Sequence, residues 1–79
     1  MSVECFFILK KGDVVYDYDK TILGKCCYKT ISNGKKMVCL ENGPYIIWIH
    51  GKCMIKKHNK NSKKFVFTEG DKIVYYKDL

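Results

Sequence analysis

A turn followed by a strand-like run occurs twice in the chain, as Gly12-Asp13-Val14-Val15-Tyr16-Asp17-Tyr18 and again as Gly70-Asp71-Lys72-Ile73-Val74-Tyr75-Tyr76. Glycine accepts positive φ at no steric cost and aspartate bonds the adjacent backbone, so each Gly-Asp opens a turn. The β-branched and aromatic residues behind it favour a pleated, half-buried strand. Two such units near opposite ends of a 79-residue chain predict a small sheet whose terminal strands meet and hide its edges, which is a barrel.

The rest of the chain is consistent with that expectation. No segment has a helical period, and β-type punctuation recurs every few residues. Candidate strands are 5–9, 14–18, 23–31, 36–41, 45–50, 53–57, 64–68 and 72–76. Breaks fall at Gly12-Asp13, Asn33-Gly34, Asn42-Gly43-Pro44, Gly51-Lys52, residues 59–62 and Gly70-Asp71. Asn33-Gly34 is the strongest hairpin signal, since a two-residue type I′ turn needs positive φ at both central positions. With tight turns throughout, alternation places Met37, Cys39, Ile46, Trp48, His50, Cys53 and Ile55 on one face and Val38, Leu40, Tyr45, Ile47, Ile49 and Met54 on the other. Both faces are largely apolar, so the sheet must bend over itself or use one face on a partner.

Length predicts a single domain over residues 1–79, near the lower limit for a core of ordinary side chains. A hydrophobic share of 47% excludes a disordered chain. No apolar run approaches the roughly 20 residues that span a bilayer, and residues 5–9 are too few for a leader, so a non-membrane, cytosolic protein is expected, in a host cell if the gene is viral. Cys5, Cys26, Cys27, Cys39 and Cys53 are an odd set without a secretion signal, which favours reduced thiols packed as small apolar groups.

All fifteen basic residues are lysine, so bidentate guanidinium contacts are unavailable and anions must be met by ammonium groups. Charge is concentrated. Residues 1–24 carry three lysines against four acids and residues 69–79 two against three, each −1; residues 25–68 carry ten lysines against Glu41 alone, +9. The Lys, Asn, Ile and Tyr bias fits an AT-rich gene such as a phage, a large DNA virus or a low-GC bacterium carries.

The run Lys11-Gly12-Asp13-Val14-Val15-Tyr16-Asp17, then Gly24-Lys25, then Val38-Cys39-Leu40-Glu41-Asn42-Gly43, resembles small SH3-like barrel proteins of phages and bacteria that read K-x-G-D-x-V-Y-D, G-x-V, V-x-F-E-N-G. The resemblance covers the first half and the last strand. It implies an all-β, SH3-like or Tudor-like barrel of five to seven short antiparallel strands, with residues 70–76 returning beside the first strand, and it assigns no functional residues. The chain departs from the pattern in its apolar 46–50 segment and its lysine-rich 56–64 loop.

Three chemistries are conceivable for these residues. For metal, His50 and Cys53 would face each other across Gly51-Lys52 with His58 and Cys39 near, but no Cys-x₂-Cys unit supports zinc, and Asp13, Asp17 and Asp19 read as a solvated strand face. For catalysis, Cys27 or Cys53 with one of two histidines lacks an orienting group and an oxyanion site, so the chain reads as non-catalytic, without cofactor or metal. For polyanion binding, Lys25, Lys29, Lys35 and Lys36 flank one hairpin, Lys56, Lys57, Lys63 and Lys64 form a second basic lobe, and Tyr28, Tyr45 and Trp48 offer rings for stacking or an interface. The expected function is therefore a phage or viral accessory protein that binds nucleic acid or a nucleotide through lysines. The alternative is an inhibitor or adaptor that presents the apolar 45–49 strand to a host protein or to its own copy.

Overall fold

The computed structural model describes residues 5–18, 21–59 and 62–77. It contains a short helix α1 (Cys5–Ile8) and five strands, β1 (Val14–Asp17), β2 (Thr21–Ser32), β3 (Lys35–Asn42), β4 (Tyr45–Asn59) and β5 (Ser62–Tyr76), joined into a closed all-β barrel. Neighbours in sequence pair antiparallel from β1 to β5. The closure is parallel, Val15 against Phe65, Tyr16 against Val66 and Asp17 against Phe67. That follows from arithmetic: five strands of alternating direction bring the first and last together pointing the same way, so a fully antiparallel barrel was not available to this chain.

The turns behave as their residues dictate. Asn33 and Gly34 both take positive φ (51° and 78°), and Gly43 takes 58° in the next hairpin. Gly12 has φ of 100°, with Asp13 N–H donating to Lys10 O at 3.0 Å and Lys10 N–H to the Asp13 carboxylate at 2.9 Å.

Three expectations are corrected. Residues 5–9 hold α1 and no strand: their apolar character lacks alternation, and a helical turn puts Cys5 and Leu9, four apart, on the face that covers the core. Gly51-Lys52 and Gly70-Asp71 are not turns. They lie inside β4 and β5, where Gly51 pairs with Gly70 across the ladder with φ of 151° and 140°. A straight 15-residue strand would run about 45–50 Å, longer than the molecule's largest extent of 40 Å, so the β4–β5 ribbon must bend. A Cβ on either glycine would collide with a backbone carbonyl oxygen of the facing strand and sit 2.6 Å from the other glycine's Cα, so this crossing requires glycine on both sides. Finally, residues 70–76 do not return beside β1; that place is taken by residues 65–67, and 70–76 pair with 45–51.

The core is formed by Val15, Leu23, Cys26, Val38, Leu40, Ile47, Ile49, Phe65 and Phe67, with Cys5 and Leu9 of α1 closing it. Because β4 is continuous, its odd-numbered residues keep one face. Cys53 and Ile55 therefore pack against the core with Ile47 and Ile49, rather than sharing a face with Trp48, while Tyr45 and Met54 are exposed.

Candidate anion-binding surface

The eight lysines considered for anion contact do not form one surface. Lys29 and Lys36 serve the fold. Lys29 Nζ donates to Phe6 O at 2.7 Å and lies 5.2 Å from the Phe6 ring centroid, and Lys36 Nζ lies 5.1 Å from that of Phe7. These ammonium groups hold α1 onto the barrel by charge on a helix carbonyl and by cation–π contact. Lys25 is exposed on β2, opposite Glu41. Glu41 in turn meets Lys77 Nζ at 2.8 Å, and this bond, then the Lys77 and Lys25 charges, holds its carboxyl below the usual range. Lys35 is exposed beside the Asn33-Gly34 turn and lines a shallow hollow of about 340 Å³ with Met37 and Trp48.

The second lobe is different in kind. Register sets Lys56 directly opposite Lys64 and Lys57 directly opposite Lys63. Like charges facing across a ladder are destabilising, yet two successive rungs are built this way. Lys56 and Lys63 are exposed, and Lys64 Nζ lies 4.3 Å from the centroid of the Tyr16 ring. The side chains of Lys57 and His58, and all of Lys60, lie outside the described residues. Tyr16 was missed in the sequence, because only the non-local closure of β1 on β5 brings it to Lys64.

The rings proposed for stacking lie elsewhere. Tyr28, Cys39, Trp48 and Ile73 are successive cross-strand partners on the outer face of β2 to β5, with Tyr28 and Trp48 edge-to-face at 6.3 Å and 86°. Trp48 is half-buried and Tyr28 exposed. Tyr45 packs edge-to-face on Tyr76 at 5.4 Å. The 45–49 backbone is flanked by β3 and β5, and Ile47 and Ile49 are core, so that strand cannot be offered to a partner as an edge.

Four of the five thiols form two pairs, and all five are free of disulfides. Cys27 Sγ lies 3.4 Å from both Cys39 Sγ and Cys39 O, and burial, reinforced by Cys27, pushes the Cys39 thiol up to about 12. A hydrogen bond between Cys5 and Cys53 holds Cys5 below the ordinary thiol range and pushes Cys53 above it. A continuous β4 replaces the turn expected between His50 and Cys53, both of which line the cavity beside α1, and no metal-binding cluster occurs among the described residues. Asp17 accepts a 3.1 Å ion pair from Lys72; Asp19 lies outside the described residues. A cavity of about 530 Å³ between α1 and the barrel is lined by Cys5, Leu9, Val38, Ile49 and Phe67 together with Lys36 and His50. No helix among the described residues is long and apolar enough to cross a membrane. Comparison with protein-family models, with curated proteins and with solved structures finds no match.

Proposed function

We propose that the protein binds a phosphate-bearing polymer, a nucleic acid, without catalysis, through the end of the β4–β5 hairpin. The observation that carries this reading is the double rung of facing lysines, Lys56 with Lys64 and Lys57 with Lys63. A ladder that sets like charges face to face gives up stability, and a phosphate held between the two ammonium groups of a rung would reverse the sign of that term. Tyr16, beside Lys64, supplies a ring at the same place.

The test is fluorescence anisotropy of labelled single-stranded and duplex oligonucleotides across a salt series. Successive rungs project from opposite faces of the ladder, so the Lys56–Lys64 rung neutralises two phosphates and gives a log–log slope of about −1.4 to −1.8. The double substitution Lys56→Gln with Lys64→Gln should remove most of that slope, and Lys25→Gln should lower it by less, because Glu41 already faces that lysine. A flat salt dependence, or a slope that the double substitution leaves unchanged, overturns the proposal.

A second reading is favoured by one observation: the half-buried Trp48 lies in an outer-face row with exposed Tyr28 and Ile73, beside Glu41 and Asp71 as well as lysines. Mixed charge around apolar rings suits a protein partner better than a phosphate backbone. Loss of a co-purifying protein on Trp48→Ala, with oligonucleotide binding intact, would assign that face to such a partner.

A further inference from the structure

The second half of β5 is paired on one side only. β4 covers it through the partners of residues 45–51, but β1 leaves β5 where Tyr18 N–H donates to Phe67 O, and among the described residues no strand pairs the other edge beyond that point. Along that edge Ile73, Val74, Tyr75 and Tyr76 are 46%, 52%, 54% and 69% exposed. Natural edge strands are blunted by charge, proline, bulges or short length. Residues 73–76 carry none of these devices, and the ladder's register shifts lie elsewhere, at Lys52/Cys53 and Lys57/Asn59.

We propose that this edge pairs with the same edge of a second copy, antiparallel, about a two-fold axis through Val74. The register is chosen by charge and by side-chain fit. An axis at Val74 sets Asp71 opposite the partner's Lys77 and, by symmetry, Lys77 opposite the partner's Asp71. It also sets Ile73 opposite the partner's Tyr75, an aromatic against a β-branched residue, which is a favourable cross-strand pair. Moving the register half a step, to an axis between Val74 and Tyr75, sets Lys72 opposite the partner's Lys77 and is disfavoured. An axis at Ile73 separates Asp71 from the partner's Lys77 and places it against the partner's Tyr75. Lys77 already meets Glu41 at 2.8 Å on its own chain, so its ammonium would be shared between two carboxylates. The pairing would join the two outer faces into one continuous sheet, the Tyr28–Cys39–Trp48–Ile73 row running on into the partner.

Sedimentation equilibrium of the full chain, with circular dichroism to confirm folding, tests this. The wild type should be a dimer at about 100 µM. Asp71→Lys and Lys77→Glu each replace two attractions by two repulsions and should each weaken the dimer about tenfold or more. Mixing the two variants restores both attractions in a heterodimer, so the mixture should dimerise where neither variant does. Lys77 N–H donates to Pro44 O, so by alternation Tyr75 and Ile73 also face β4 while Val74 and Tyr76 turn their N–H groups to the free edge. Amide exchange at Val74 and Tyr76 should slow as wild-type concentration rises, a readout that needs no variant. A wild type that stays monomeric overturns the proposal. So does a dimer that persists in both variants and in Val74→Lys, which puts like charges on the axis, since the interface is then another face.

Discussion

Replacing Gly70 by alanine tests the bend on which the whole ribbon depends. The new Cβ would collide with the His50 carbonyl oxygen and sit 2.6 Å from the Gly51 Cα. Carbon atoms settle at about 3.5–4.0 Å, so the strands must part by about 1 Å, and the obstacle is backbone with no flexible end to swing aside. Overpacking of that kind costs about 1–3 kcal/mol. The φ of 140° adds backbone strain of about 1–3 kcal/mol for a residue with a side chain. Together these give about 2–6 kcal/mol, against a total of roughly 4–12 kcal/mol for a domain of this length. With an m-value of about 1–2 kcal/mol/M, the urea midpoint should fall by about 1 M or more. Gly12→Ala is the control, because Gly12 also has positive φ, at 100°, but nothing lies within 4 Å of its Cβ position. It should cost only about 1–2 kcal/mol. Gly51→Ala should match Gly70→Ala, and the double substitution should cost less than the sum, because each glycine makes room for the other. If Gly70→Ala and Gly12→Ala lower the midpoint equally, close approach of the two strands does not limit the fold and the reasoning fails.

Leu40 is fully buried, and Leu40→Ala should cost about 3–5 kcal/mol by calorimetry or urea unfolding. Lys29→Ala removes the bond to Phe6 O and should speed amide exchange at Leu9, whose N–H donates to Cys5 O, while the β3–β4 amides keep their protection. The Cys39 thiol, held protonated to about 12 in the fold, ionises near 9 when unfolded, so the unfolded state loses its proton first and stability falls as pH rises from 9 towards 12. Unfolding at about pH 8 and about pH 10.5 should show a smaller loss in Cys39→Ala than in the wild type. The proposed dimer would hold its two lysine lobes at most about 80 Å apart, twice the contour from Ser62 to Val74 at about 3.3 Å per residue. Duplexes beyond about 24 base pairs should therefore bind with a steeper salt dependence than shorter ones, and a slope independent of length argues against two lobes acting together.

Local chemistry was legible in the sequence wherever a turn is made by its own residues. Asn33, Gly34, Gly43 and Gly12 all adopt the positive φ that their turns demand. The same residue types misled at Gly51 and Gly70, because a glycine that permits a turn also permits two strands to cross, and only the facing strand decides between them. That one misreading propagated. A turn at Gly51-Lys52 would have set His50 and Cys53 facing each other across a hairpin, whereas both lie along one continuous strand. The surroundings of the lysines were hidden for a related reason. Charge density could be counted, but Lys29 and Lys36 are assigned by Phe6 and Phe7, residues 23 and 29 positions upstream whose helix the alternation did not reveal.

The uneven strand lengths explain why both proposed surfaces fall on one ribbon. β1 has four residues and β5 has 15, and their ladder occupies only Phe65 to Phe67. Closure thus leaves surplus strand on either side of those three residues. On the side of the hairpin the surplus carries the facing lysines; on the other it carries the apolar edge from Ile73 to Tyr76. The two ends are not interchangeable as contacts. A second copy is repelled by the first end, where Lys56, Lys57, Lys63 and Lys64 would meet their own kind, and is received by the second, where Asp71 and Lys77 can exchange partners. Like-charge repulsion at one end of β5 would therefore direct self-association to the other and leave the lysine rungs open to an anionic polymer.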